Sequence, residues 1–446
     1  MSELRRELGV FSAALLVVGG IIGSGIFFTP AEVARALPDG AWILGVWALG
    51  GFLALAGALT YAELGAMLPD AGGPYVYIRH AFGSLWAFLY GWMALLSIAS
   101  GAIAAVSMGF AGYLARFVDL APLGGTLPVA AGTIVVLTAT NYVGLRPGVA
   151  LQNLLTAAKI VALSALIVGG LALWASLGAP PAVTDAPPPP AIVPGFAAAF
   201  VAVLFTIGGW QQMNMVAGEI RDPARTIPKA LLIGILIVVA IYLGANAVYL
   251  HALGRDGLAV SEAVAGDTAA RMVGPIGATL ITAAAMLSIL GFVNVAILTN
   301  SRLPYALARD GVFFEAAARV HPRFGTPHVA ILLTGAWSLV LLVATRGAIG
   351  TLLSGVVFAD WIFFGLGAAS VFVLRRTMPG AVRPYRAWGY PVVPGLFVAA
   401  AAAGVLSAFV AAPVMSGVGT AMLVAGIFVH RAFVARGDLM RRGESR

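Results

Sequence analysis

Gly19-Gly20-Ile21-Ile22-Gly23-Ser24-Gly25-Ile26 stands inside an apolar run, residues 10–37, that otherwise reads as one helix. It packs four glycines into seven positions. Each glycine costs up to about 1 kcal/mol in a helix interior relative to alanine, so the helix is expected to break there. Phe205-Thr206-Ile207-Gly208-Gly209-Trp210 interrupts a second apolar run, residues 195–219, in the same manner. The reading of the whole chain turns on these two breaks.

The solvent around them is lipid. Of 446 residues, 61% are hydrophobic and 10% charged, where a soluble domain carries about 25% charged residues. Mean hydropathy is +0.97. A soluble fold of this size has nowhere to hide so much apolar surface. A water-soluble enzyme, a nucleic-acid binder and a disordered hub are all excluded. With no cysteine there is no disulfide, thiolate metal site or thiol chemistry, and the five histidines are scattered. No metal or cofactor is expected. The opening MSELRRELGV lacks the cleavage pattern of a signal peptide, so the first apolar segment is expected to remain as a helix.

Apolar runs long enough to span a bilayer fall near 10–37, 41–68, 84–116, 127–143 and 150–177, then 195–219, 229–253, 273–303, 327–345 and 348–376. Two more, 391–412 and 414–435, bring the expected helices to twelve. Strands of an outer-membrane barrel would alternate in segments of about 10 residues instead. With the amino terminus inside, the outer segments hold only Arg35, Arg116, Arg255, Arg271 and Arg346 of the 26 basic residues, and Lys159 lies within a span. The rest are cytoplasmic, so the net charge of +8 is a topology signal. Both termini are expected in the cytoplasm, and the protein in the cell (inner) membrane. The prolines between Ala186 and Ala191 then lie outside, in a loop that either spaces two halves or is simply tolerated. The expected division is a first five-helix repeat (1–177), the proline-rich loop (178–194), a second repeat (195–376), and two last helices with a tail (377–446).

Each break lies in the first helix of its five-helix set. Paired interruptions in matching halves point to an inverted-repeat transporter. Unwound backbone exposes N–H and C=O groups that lipid cannot satisfy, so a polar ligand or a watery cavity must. The start of the following half-helix favours a carboxylate, and carbonyls freed at the end of the preceding one favour an ammonium. An α-amino acid carries both groups. Glycines that only let helices pack closely are the bland alternative, and the register of the two clusters weighs against it.

Gly20 to Phe27 (GIIGSGIF) resembles the first-helix motif of the amino acid–polyamine–organocation superfamily. Phe205 to Trp210, with Glu219-Ile-Arg-Asp-Pro-Ala-Arg-Thr-Ile-Pro-Lys-Ala, resembles its sixth helix and the cytoplasmic loop next to it. Gly72-Gly-Pro-Tyr-Val-Tyr, Ser301-Arg302 with Ala308-Arg-Asp-Gly, and Arg383-Pro-Tyr-Arg are similar too. The branch most similar is that of the L-amino acid transporters. The resemblance implies an all-α LeuT-type 5+5 inverted repeat with broken first and sixth helices. It implies that the region Ile21, Gly23, Ser24, Gly25 and Ile26 binds substrate together with Phe205, Thr206, Ile207 and Gly208. Amides of Ser24, Gly25 and Ile26 would hold the carboxylate. Carbonyls of Ile21, Phe205 and Gly208 would hold the amino group, with Phe205 as an aromatic gate. Ile207 replaces an aromatic and Gln211 an Asn or acid, which bears on substrate choice. Lacking cysteine, the chain would have no disulfide-linked heavy subunit.

Lys159 is a cation in mid-span, expensive and by default functional. In related sodium-independent transporters a lysine here bridges the broken first helix to the eighth, in the place of a sodium ion; Ser288 is its expected partner. Glu63 either relays protons or binds backbone amides, and Asp360 either relays protons or bonds a neighbouring helix. Glu219, near Arg221, makes an inner-gate ion pair or a solvated one. Asn294 faces the site or another helix, and Trp210 is a packing anchor. The function expected is sodium-independent exchange of neutral L-amino acids by alternating access. A proton-coupled symporter and a cationic amino acid or polyamine antiporter are the alternatives. An intramembrane enzyme would need facing clusters of His, Asp or Glu, and only Glu63 and Asp360 qualify.

Overall fold

The computed structural model describes residues 4–347, 349–411 and 413–444, without the side chains of 349–358, 410–411 and 436–444. The side chains of Arg436, Arg441 and Arg442, and the whole of Arg446, therefore lie outside what is described. Everything described is helix, turn or loop, apart from a single bridge between Leu8 and Ile220.

The first apolar run forms two helices, α1 (Val10–Ile21) and α2 (Gly25–Ala36), bent by 41° at Ile22-Gly23-Ser24. α3 (Gly40–Met67) comes next, capped by the Asp39 carboxylate on the N–H groups of Ala41 and Trp42. α4 (Ser84–Leu114) contains a π-turn at Ala94–Ile98. Then come α5 (Thr126–Tyr142), α6 (Leu145–Ala172) and α7 (Ile192–Thr206). The second break, Ile207 to Gln211, leads into α8 (Gln212–Met215), one short turn. α9 (Pro223–Val260) is kinked at Gly254, whose φ of 70° lies in glycine territory. α10 (Pro275–Asn300) runs into α11 (Arg302–Arg309), and α12 (His328–Ala344), α13 (Ile349–Thr377), α14 (Val392–Ala411) and α15 (Pro413–Glu444) complete the bundle.

Among the described residues, seven helices are long and apolar enough to cross a membrane, or eight with the bent pair α1–α2 taken as one broken span. α5, α7 and α12 are shorter apolar helices. Several bounds differ from the hydropathy reading. α9 starts at Pro223, whose missing N–H costs nothing at the first helical position, and runs on through Pro228 inside the helix. Two helices outside the expected spans, Pro74–Phe82 and Val264–Val273, cap the bundle.

The burial pattern suits lipid. α6 turns Gln152, Thr156 and Lys159 inward and shows Leu154, Val161 and Val168 at seven-residue spacing outward. Polar groups inside need partners, and apolar groups outside need none. α1 packs on α9 and α6, and α10 on α6 and α4. The two breaks thus lie at the centre.

Candidate functional site

The breaks meet back to back. A Cβ on Gly20 would sit 2.8 Å from the Gly209 carbonyl oxygen, and Gly209 has φ of 101°, so neither position takes a side chain. Above them, Thr29 and Thr206 share a hydroxyl–hydroxyl bond of 2.6 Å. Tyr242 on α9 places its hydroxyl 3.2 Å from the Ile21 carbonyl and 3.3 Å from that of Thr206. One phenol thereby ties the ends of both half-helices.

A cavity with room for about 100 Å³ of water-sized occupants, open to solvent in part, lies against the breaks. Ile21, Gly23, Ser24 and Gly25 line it from the first break, and Phe205, Thr206, Gly208 and Gln211 from the second. Ile26 and Ile207 are buried in packing beside it. Their side chains do not reach the cavity wall. The opposite wall comes from Tyr90 and the π-turn ends Ala94 and Ile98 on α4, Phe292 and Asn300 on α10, and Asp360, Trp361 and Phe364 on α13. A π-turn inside a helix often marks a functional site.

Backbone groups are free where the glycines predict. Ser24 precedes α2 without a side-chain cap. Among the described residues, the N–H groups of Ser24, Gly25 and Ile26 have no acceptor, the first backbone bond of α2 being Phe27 N–H to Ser24. On the acceptor side, the Ile21 carbonyl is taken by the Gly23 N–H at 2.9 Å and by Tyr242. The Phe205 carbonyl accepts one bond, from Gly208 at 3.3 Å, while that of Gly208 has no donor among the described residues. Gln211 folds back, its side-chain oxygen accepting the Gly209 N–H at 3.1 Å. The Phe205 ring is 41% exposed, on the cavity wall.

Lys159 is 1% exposed and donates to the carbonyls of Ile22 and, at 3.1 Å, Ser288. Ser288 Oγ donates to Ile22 at 3.1 Å and Gly23 at 2.9 Å. No carboxylate pairs with Lys159 among the described residues.

Glu63 is at the far end of α3, off the cavity. It pairs with Arg375 at 2.6 Å and Arg383 at 3.4 Å, and accepts the Ala387 N–H at 2.7 Å. Neither of its two readings named these arginines, and the Ala387 amide is an added contact beside the ion pairs. Asn294 faces neighbouring helices, bonded to Asn141, Gly148 and Gln152. Asp360 lines the cavity and has no ion-pair partner among the described residues. Glu219 does not pair with Arg221. Its carboxylate takes both faces of the Arg302 fork, at 2.7 and 2.8 Å, with both side chains 1% exposed, so the solvated reading fails. Trp210 is buried between Tyr61, Phe364 and Phe397, an anchor as expected.

Sequence reading missed Tyr90, Tyr242, Phe292, Asn300 and Arg302. Only Arg302 carried a signal, a charge at the end of an apolar run.

A helical membrane protein with a polar, glycine-built cavity at broken helices is a transporter of small polar solutes by its architecture. The family can be named: residues 8–431 match the amino acid permease family, and the chain belongs to it. It is an amino acid transporter of the amino acid–polyamine–organocation superfamily, on the L-amino acid transporter side. The serine/threonine exchanger of Bacillus subtilis is 33% identical over 406 residues, covering 89% of each chain. The human large neutral amino acids transporter small subunit 2 is 32% identical over 438 residues, 96% of this chain and 80% of that one. The human b(0,+)-type amino acid transporter 1 is 31% identical over 388 residues, 86% of this chain and 79% of its own length.

Proposed function

We propose that the protein exchanges neutral L-amino acids across the cell membrane by alternating access, without sodium. The observation that carries this reading is the pairing of unpartnered groups at the two breaks. N–H groups of Ser24, Gly25 and Ile26 stand at the start of one half-helix, and the open carbonyl of Gly208 and the half-used one of Phe205 stand across from them. A carboxylate suits the first set and an α-ammonium the second. The Ile21 carbonyl, already twice bonded, has little left to give. Phe205 is the gate over the bound molecule. Among the described residues, Asp360 is the one charged side chain in the cavity lining. Apart from it the lining is apolar, aromatic or neutral polar, which favours neutral side chains. Names of relatives agree: one exchanges serine and threonine, another carries large neutral amino acids.

On this reading the crossings number twelve, namely the eight above with α5, α7, α12 and α13, arranged as the LeuT-type repeat 1–177 and 195–376 with both termini cytoplasmic. The chain works without a disulfide-linked heavy subunit, having no cysteine to hold one. Counterflow in proteoliposomes tests the whole. Vesicles loaded with a neutral amino acid should accumulate labelled substrate, and empty vesicles should not. Accumulation in empty vesicles driven by a pH gradient would favour proton coupling instead, for which the unpaired Asp360 in the cavity wall is the supporting observation.

A further inference from the structure

A second cleft lies away from the breaks, on the face that carries the amino terminus. It holds about 630 Å³ of space open to solvent, and its lining includes Arg5, Glu7, Val143, Arg146, Arg323 and Phe324. Three guanidinium groups thus face one carboxylate. That carboxylate is used up, since both Glu7 oxygens accept from Arg146, at 2.9 and 3.3 Å. Arg5 and Arg323 have no carboxylate within ion-pair distance among the described residues. The cleft keeps a surplus of positive charge.

Its walls are fixed. His321 Nδ1 accepts the N–H groups of Arg323 and Phe324, each at 3.2 Å, and its ring stacks on Phe324 at 4.5 Å. Thr326 Oγ1 donates to the Tyr142 carbonyl at 2.9 Å, holding this loop against the end of α5. On the other wall, the N–H groups of Glu7 and Leu8 both bond the Glu219 carbonyl at 2.9 Å, which anchors the segment bearing Arg5. Arginines on pinned backbone lose less freedom on binding an anion.

We propose that this cleft binds the phosphate headgroup of an anionic glycerophospholipid. A lipid is favoured over free phosphate by what lies beside it. The cleft stands at the foot of the outward faces of α5 and α6, where Val136, Val143 and Leu154 are 62%, 45% and 67% exposed. Acyl chains running along those helices would bring a headgroup to the three arginines. Basic pockets at the membrane edge recognise anionic lipid in this manner. A bound headgroup would tie the segment leading into the broken helix to the loops before α6 and α12.

The test uses the purified full chain in neutral detergent, monitored by thermal unfolding with phosphatidylglycerol, phosphatidylcholine or inorganic phosphate at equal concentration. Phosphatidylglycerol should raise the midpoint by at least about 3 °C, and the other two should leave it unchanged. R5A/R323A should lose the shift, whereas R225A, which removes an 80% exposed arginine beyond the cleft, should keep it. A full shift in R5A/R323A overturns the site, and an equal shift with inorganic phosphate overturns the lipid. If the double variant is not recovered folded, R323Q alone should lower the shift by at least half, and an undiminished shift there overturns the proposal as well.

Discussion

Lys159 Nζ and Ser288 Oγ, one from α6 and one from α10, converge on a single acceptor, the carbonyl oxygen of Ile22. That oxygen exists as a free acceptor only because the glycines end α1 there. The ammonium and the hydroxyl therefore occupy the gap that the break opens. A sodium ion about 4 Å from the ammonium would be repelled by about 4 kcal/mol at an effective dielectric of 20. Exchange of sodium for choline at fixed pH should leave the initial rate of uptake unchanged. Lys159→Ala should lower that rate at least about 10-fold, equivalent to ~1.4 kcal/mol, because three helices lose their common tie. Sodium-stimulated uptake by the wild type would refute the argument.

Gly25 faces Thr206 across the two breaks, and a Cβ on Gly25 would come within 2.5 Å of Thr206 Cγ2. Gly25→Ala should therefore push the start of α2 away from α7 and cut uptake roughly 10-fold or more. Removing the obstacle should restore part of it, so Gly25→Ala with Thr206→Ala should transport better than Gly25→Ala alone. The comparison is made on protein of equal reconstituted amount. A double variant no better than the single would show that the glycine is needed for some reason other than space.

The residues that could be read in advance share one property, which is that they violate a membrane rule. Glycines in a helix and a lysine in mid-span cost free energy, so each marks a place where the fold must compensate. Ser288 followed from Lys159. Tyr90, Phe292 and Asn300 break no rule. In a bundle where lipid and core are both apolar, composition does not say which face of α4 or α10 turns to the cavity. Glu219 shows the other limit. Its near neighbour Arg221 was the partner visible along the chain, but the bonded one, Arg302, is 83 residues away. The fold brings α11 under the second break, and no local spacing encodes that. Tyr242 was silent for the same reason.

Phe205 stands at the last turn of α7 with its ring on the cavity wall. A ring there can cover a bound substrate, and a smaller side chain leaves the site open to water. Phe205→Ala should reduce uptake by about 10-fold, with most of the loss in the maximal rate if closure rather than affinity is impaired. Phe205→Trp keeps a ring and should retain more activity than alanine. Alanine, tryptophan and wild-type proteins with equal kinetics would count against a gate.

Two ion pairs on the amino-terminal side offer a contrast in which burial alone sets the expected ranking. Glu219 and Arg302 are both 1% exposed and bonded through two contacts, and Arg302 reaches on to the Leu298 carbonyl and Ser301 Oγ. Arg79 and Asp310 make a contact of 2.5 Å, no longer than the inner pair's, but the arginine is 44% exposed. Removal of Arg79 leaves Asp310, 18% exposed, within reach of water and still accepting from the Tyr75 hydroxyl. Arg302, at 1% exposed, has no such access to water, and its neutral acceptors do not replace the carboxylate's charge. Glu219→Gln leaves a guanidinium buried without its counter-charge and should cost about 3–5 kcal/mol, while Arg79→Ala should cost no more than about 1 kcal/mol. Adding Arg302→Met to Glu219→Gln removes the stranded charge and should recover part of the loss. Thermal unfolding of the four proteins in one detergent gives the order: wild type and Arg79→Ala close together, the double variant below them, and Glu219→Gln lowest. If Arg79→Ala falls as far as Glu219→Gln, burial is not what makes the inner pair matter.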